Sequence, residues 1–280
     1  MRYKLGVYEK AMPDTLSWEQ RLEAVRDAGF DFCEISIDET GARLDRLKQP
    51  YSFRRELREL GRSVGVTIDT MCLSGHRRFP MGSSDPETVK RSMEIMEDAV
   101  QFAADVGIKI IQLAGYDVYY DEPSTPVTRE RFVENLRLAA GMAADNGIML
   151  GVETMENAFC NTVCKALGII NEVGSPYLQI YPDVGNVFNG THNPQGDLRD
   201  GKGRVVAAHL KETRPGVFRN LFYGEGAVDM AASVHTLYQM GVRRYNAEFW
   251  YDGGVDWEGR LRTANLYLRK FLEKEADNLL

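Results

Sequence analysis

Thiols and imidazoles are scarce in this chain: 280 residues hold four cysteines and four histidines. Cys33, Cys72, Cys160 and Cys164 show neither zinc-finger nor CxxC spacing, so they read as reduced, mostly buried thiols. Cys160 and Cys164 fall in a helical pattern at a spacing that predicts one shared face, packed as small apolar groups. Long apolar runs are missing, and none could span a bilayer. Met1-Arg2-Tyr3-Lys4 leads directly into a strand pattern, so no export segment and no membrane association are expected, and the cytoplasm is the expected compartment. Positive charge is in deficit, 34 Lys and Arg against 41 Asp and Glu for a net −7. That balance argues against a nucleic-acid partner while leaving room for a local basic pocket. No Pro- or Ser-rich linker divides the chain, and one domain over residues 1–280 is the economical reading. Glycine is absent where a dinucleotide-binding sheet would need it, because the first strand runs into Tyr8-Glu9-Lys10-Ala11-Met12-Pro13.

What is present is regular. Candidate strands begin near Lys4, Asp31, Val66, Ile108, Gly147, Leu178, Val205 and Arg243, and successive starts lie 27 to 42 residues apart. Amphipathic stretches with helical spacing lie between them: Leu16 to Ala28, Ser52 to Val64, Pro86 to Val106, Thr128 to Asn146, Thr162 to Val173, Val228 to Met240 and Trp257 to Phe271. Alternation of strand and helix favours parallel pairing through right-handed crossovers. Eight such units predict an α/β fold, a single (β/α)8 TIM barrel, which typically takes ~250 residues.

Four of the strands close on a metal-type ligand: Glu153, Asp183, His209 and Glu248 each follow an apolar run and precede a polar turn. One such residue would read as a satisfied polar group at a strand terminus. In a barrel, however, the C-terminal strand ends converge on one mouth, where four acidic or imidazole groups would repel or stay unpaired without a cation. Carboxylates and a neutral imidazole suit one divalent ion, Mn2+, Zn2+, Co2+ or Mg2+, whose identity these ligands leave open. Two glutamates flanking one cation also suggest a chemistry. With the C2 carbonyl and C3 hydroxyl of a ketose on the cation, loss of the acidified C3 proton gives an enediolate. If Glu153 and Glu248 act as the acid/base pair on opposite faces, C3 is inverted, with Asp183 and His209 mainly ligands.

The segments Gly151-Val152-Glu153-Thr154-Met155, Tyr181-Pro182-Asp183-Val184-Gly185-Asn186, Ala208-His209-Leu210-Lys211-Glu212 and Ala247-Glu248-Phe249-Trp250 resemble the xylose-isomerase-like superfamily of sugar and sugar-phosphate isomerases and epimerases. Segments around Gly6 to Ala11, Asp31 to Glu39, Met71 to Pro80, Ile111 to Tyr120 and Gly224-Glu225-Gly226 resemble its bacterial L-xylulose 5-phosphate 3-epimerase group. The resemblance runs nearly the whole length in order. It implies a xylose-isomerase-like barrel whose strand-five Glu, strand-six Asp, strand-seven His and strand-eight Glu bind the metal. It further implies 3-epimerisation of L-xylulose 5-phosphate to L-ribulose 5-phosphate in L-ascorbate degradation. Asn186 departs from relatives acting on unphosphorylated ketoses, which carry histidine there, and its amide could bond a sugar hydroxyl instead.

A sugar phosphate needs partners for its dianion. Ser74-Gly75-His76-Arg77-Arg78 follows the third strand, where arginine forks could clasp phosphate, or where Arg77 and Arg78 are solvated loop charges. His76 is either a donor to substrate or a packed loop histidine. Lys211 and Arg219, on and after the strand-seven loop, are further phosphate candidates, and Arg219 could alternatively orient substrate near the metal. No residue is assigned to any other cofactor. Glu34, placed at the end of the second strand, either meets a substrate hydroxyl or holds a loop. Tyr119, Tyr120, Phe249 and Trp250 are either aromatic walls or ordinary packing. His192, in a Gly/Asn-rich loop, reads as solvated, and His235, in a helix, as structural. A 1,2-aldose–ketose isomerase acting on a related sugar phosphate, such as a hexulose 6-phosphate, would use the same enediolate. An apurinic-site nuclease would need more histidines and a basic face; a silent sugar-phosphate binder would not need both glutamates. Barrels of this superfamily are often dimers or tetramers, and a homodimer is the expectation by analogy.

Overall fold

Side chains at the strand-to-helix junctions decide where the helices begin. The computed structural model describes residues 2–277. In chain order its elements are β1 (Lys4–Tyr8), α1 (Trp18–Asp27), β2 (Phe32–Ile37), α2 (Gly41–Leu44), α3 (Tyr51–Val64), β3 (Thr67–Leu73), α4 (Pro86–Val106), β4 (Ile110–Ala114), α5 (Pro126–Asp145), β5 (Met149–Glu153), α6 (Val163–Val173), β6 (Leu178–Tyr181), α7 (Val184–Gly190), α8 (Pro194–Asp200), β7 (Ala208–Leu210), α9 (Met230–Gln239), β8 (Arg244–Ala247) and α10 (Trp257–Asp277). Ser17 and Gln20 form a reciprocal capping box at α1, and Asp85 and Thr125 cap α4 and α5, each followed by proline at the first helical position. Gly65, Gly107 and Gly174 end α3, α4 and α6 in the left-handed conformation that a side chain would strain.

All strand pairs are parallel, in the order β6-β5-β4-β3-β2-β1-β8-β7. The last seam, between β6 and β7, is closed among the described residues by the isolated bridges Ile180↔Val205 and Asp183↔His209. Three residue steps on the β6 side face four on the β7 side, so one extra residue bulges out. For that reason regular pairing of the seventh strand begins at Ala208 and not at Val205 as the apolar run suggests. Two short helices, α7 and α8, also fill a stretch whose glycine and asparagine read as loop.

Side chains alternate along every strand. Leu5, Val7, Ile35, Ile37, Met71, Leu73, Leu150 and Val152 face the helices and form the main core. The intervening residues enter the barrel, where Tyr8 bonds Ser36, Thr70 bonds Glu34 and Gln112 bonds Glu153. At the N-terminal end Asp69 accepts from Lys4, Thr67 and Arg244 at 3.2, 2.6 and 3.1 Å and plugs the bottom with charge. Cys160 lies in the loop before α6 and is buried, whereas Cys164 lies on α6 and is exposed. The pair therefore shares no helix face; α6 begins only after Thr162 caps it, which leaves Cys160 outside the helical repeat. Among the described residues all four cysteines are free, and no helix is long and apolar enough to cross a membrane.

Candidate metal centre at the barrel mouth

Glu153 is the last residue of β5, Asp183 follows β6, His209 sits in β7 and Glu248 follows β8. Four adjacent strands thus deliver four ligand-type side chains, all buried, with one donor atom from each lying within 4.8 Å of the others. His209 Nδ1 is 2.6 Å from Glu153 Oε1 and 3.4 Å from Glu248 Oε2. Asp183 divides its carboxylate between two tasks. Oδ1 accepts the Asn186 backbone N–H at 2.8 Å and caps α7, which leaves Oδ2 to face the cluster. Gln112 Nε2 donates to Glu153 Oε2 at 2.5 Å and orients the other edge of that carboxylate.

Burial pushes the Glu153 carboxyl above its ordinary range, helped by nearby Asp183 and opposed by His209 and Lys211. Burial likewise raises Asp183 to about 7, with Lys211 opposing and Glu248 adding to the rise. Burial alone would depress His209, but the Glu34, Glu248 and Glu153 carboxylates outweigh it and drive the imidazole well above its ordinary value. Three buried carboxyl groups thus crowd one imidazole and the Lys211 ammonium.

A divalent cation fits these residues. Asp183 Oδ2 and Glu248 Oε2 are buried and, among the described residues, accept no hydrogen bond. Lys211 Nζ lies 2.7 Å from Asp183 Oδ2 and 3.6 Å from Glu248 Oε2, ion pairs outside hydrogen-bond geometry. Two unsatisfied carboxylate oxygens, a third carboxylate and an imidazole nitrogen converging on one point form a donor set for a hard to borderline dication. Asp183, His209, Glu153 and Glu248 would hold it.

The cavity above the cluster is lined by Tyr8, Lys10, Cys72, Ser74, Arg77, Ala114, Glu153, Met155, Glu156, Asn186, Lys211, Phe218, Arg219, Glu248 and Trp250. Asn186, Lys211, Arg77 and Arg219 thus line one cavity together with Glu153 and Glu248. Asn186 Oδ1 accepts from Lys211 at 3.0 Å, and its amide donates to the Thr154 carbonyl at 2.8 Å. Arg77 and Arg219 stack over Tyr119 and Trp250, 4.9 and 5.6 Å from the ring centres.

His76 and Arg78 stand elsewhere. A 3-10 turn over Gly75–Arg77 swings the His76 ring inward, where Nε2 meets the Ser92 carbonyl of α4 at 3.0 Å, and burial lowers its pKa to about 4. Arg78 is exposed over the Phe79 ring and lines a neighbouring groove. Neither lines the cavity. Phe249 is buried in the main core, while Trp250 reaches the cavity. Tyr119 donates to Glu156 at 2.9 Å, and exposed Tyr120 bonds Glu39 across the mouth at 2.8 Å. His192 is exposed, as its loop reading expects, and His235, exposed on α9, meets Glu275 Oε2 at 3.0 Å. Lys10 and Glu156 went unnoticed in the sequence, although the position of Lys10 just past β1 marks it as a mouth residue.

The chain matches the xylose isomerase-like TIM barrel family over residues 22–271 and belongs to it. It is 42% identical over 271 residues, 96% of this chain and 95% of the relative, to L-ribulose-5-phosphate 3-epimerase UlaE of Escherichia coli O157:H7 strain EC4115. The corresponding epimerase of Escherichia fergusonii is 41% identical over the same shares. Among solved structures, D-psicose 3-epimerase from Clostridium cellulolyticum H10 superposes with a TM-score of 0.80 at 16% identity, covering 96% of this chain and 99% of that one. An L-ribulose 3-epimerase superposes at 0.76 and 18% identity, covering 99% and 95%; these two likenesses establish the fold. With such relatives the chain is an enzyme, and its class is isomerase.

Proposed function

We propose that the enzyme interconverts L-xylulose 5-phosphate and L-ribulose 5-phosphate by inverting C3, as expected of a cytoplasmic step in L-ascorbate degradation. The observation that carries this reading is the placement of Glu153 and Glu248. They are the outer members of a four-strand run with Asp183 and His209 between them, so two carboxylates flank one cation position. The identity with L-ribulose-5-phosphate 3-epimerases supports the choice of substrate.

A bound Mn2+, Zn2+, Co2+ or Mg2+ ion would supply the positive charge that acidifies the proton beside the ketose carbonyl and steadies the developing oxyanion. The residues do the rest. One glutamate accepts the C3 proton on one face of the sugar and the other returns a proton on the opposite face, which inverts the centre. Lys211 and Asn186 present donors to sugar oxygens beside Asp183. Arg77 and Arg219, each held over an aromatic face, supply positive charge at the outer cavity for the phosphate, and the aromatic rings exclude water. A sugar phosphate is the only partner this cavity requires. A homodimer, proposed from the habit of such barrels, would be checked by light scattering.

The deciding experiment is proton NMR in D2O on chelator-stripped, Mg2+-reloaded protein given L-xylulose 5-phosphate. Cation-dependent formation of L-ribulose 5-phosphate carrying deuterium at C3 is expected. Deuterium at C1 with an aldose product would reassign the enzyme as a 1,2-isomerase, and no exchange would remove this substrate.

A further inference from the structure

Glu34 is wholly buried, and it neither ends its strand nor faces substrate. β2 continues past it to Ile37, so its side chain sits one layer below the mouth, inside the barrel. Its carboxylate collects four donors from four strands. Oε1 accepts His209 Nε2 at 2.7 Å and Asn246 Nδ2 at 2.6 Å; Oε2 accepts Thr70 Oγ1 at 2.7 Å and Tyr181 Oη at 3.0 Å. Two of these donors are one pleat beneath candidate ligands: Tyr181 is two residues before Asp183, and Asn246 two before Glu248. The third is the imidazole of the cluster itself.

We infer that Glu34 is the positioning residue of the cation site, holding His209 with its proton on Nε2 so that the Nδ1 lone pair faces Glu153, Asp183 and Glu248. The inference rests on the cation reading given above. Both ring nitrogens meet a carboxylate, Nδ1 at 2.6 Å from Glu153 Oε1 and Nε2 at 2.7 Å from Glu34 Oε1, but it is Nδ1 that faces the ligand cluster; a cation held there takes the Nδ1 lone pair of a neutral ring, which leaves the proton on Nε2, donated to Glu34. Asn246, Thr70 and Tyr181 lock the carboxylate, because every lone-pair direction of Glu34 is occupied and the acid cannot rotate away from the ring. Carboxylates placed behind metal-ligating histidines set ring orientation and ligand basicity in this way, and their loss typically costs roughly 10- to 100-fold in metal affinity. An amide at this position can turn its NH2 toward Nε2, which would favour the opposite tautomer and point an N–H into the site.

The test is Mn2+ titration of chelator-stripped wild-type and Glu34→Gln protein, read by the electron paramagnetic resonance of free Mn2+, with thermal unfolding alongside. Glu34→Gln should bind Mn2+ roughly 10- to 100-fold more weakly. Unchanged affinity, even with a lower melting temperature, would overturn the inference by making Glu34 a packing residue alone. Wild-type protein that binds no Mn2+ would overturn the cation reading itself, so the two failures are distinct. A second measurement needs no variant. In 15N-histidine-labelled, Zn2+-loaded wild-type protein, which has four imidazoles, His209 should carry its proton on Nε2. A proton on Nδ1 would reverse the assignment and sink the inference.

Discussion

Buried residues in and around the site divide into those that, on the proposed mechanism, move protons and those that hold other groups still. Glu153 and Glu248 belong to the first kind. Glu153→Gln or Glu248→Gln keeps the side-chain volume but removes the base, and each should lower turnover by roughly 100- to 10,000-fold with the circular dichroism spectrum intact. Retained turnover in a folded variant would falsify the two-base mechanism. His76 belongs to the second kind, and its role shows in stability. Burial holds its pKa down at about 4 against an ordinary 6.5. The native ring stays neutral while the unfolded chain takes up a proton, so the contribution is present above pH 6.5 and is lost as the pH falls toward 4. That loss amounts to roughly 3 kcal/mol at most. Urea midpoints measured from pH 7 to pH 4.5 should fall more steeply for wild type than for His76→Gln, and parallel curves would refute the assignment.

At the scale of elements, the strand ends are placed by glycines that let backbones approach. Gly115 follows β4, and a Cβ there would lie 2.4 Å from the Glu153 carbonyl oxygen and 2.8 Å from Cys160 Cβ. Gly115→Ala should therefore push β4 and β5 apart at the point where Glu153 is delivered. A stability loss of roughly 1–3 kcal/mol should accompany a fall in turnover. Gly141, exposed on α5 with no atom within 4 Å of its added Cβ, provides the contrast. Gly141→Ala should stabilise by roughly 0.5–1 kcal/mol and leave turnover unchanged. Denaturant titration with steady-state assay of both variants separates steric delivery of Glu153 from plain helix propensity.

For the molecule as a whole, the two ends of the barrel carry separate duties. The mouth concentrates unsatisfied carboxylates, whereas the bottom is closed by Asp69 among Lys4, Thr67 and Arg244. Asp69→Ala strands two partly buried cations and a hydroxyl, and should cost roughly 1–3 kcal/mol. The proposed chemistry sits at the opposite end, so turnover below the melting transition should stay near wild type. A proportional loss of turnover in well-folded Asp69→Ala protein would show the ends to be coupled.

Local pattern was enough to determine much of this protein. Strand and helix periods, together with Ser17, Asp85, Thr125 and Thr162 as caps, set the order of the elements. A ligand-type residue at each of four strand ends marked Glu153, Asp183, His209 and Glu248, because barrel topology brings strand ends together wherever the chain crosses over. Short-range rules could not reach further. The bulge that delays β7 depends on hydrogen bonds to a strand distant in sequence, and the turn that buries His76 is settled by the carbonyl of Ser92 on another element. Glu34 shows the limit most plainly. Its neighbours in sequence give no hint of its task, since its four partners, Thr70, Tyr181, His209 and Asn246, lie 36 to 212 residues away. Only closure of the barrel, which excludes water from its interior and obliges every buried polar group to find a partner across it, decided what that carboxylate does.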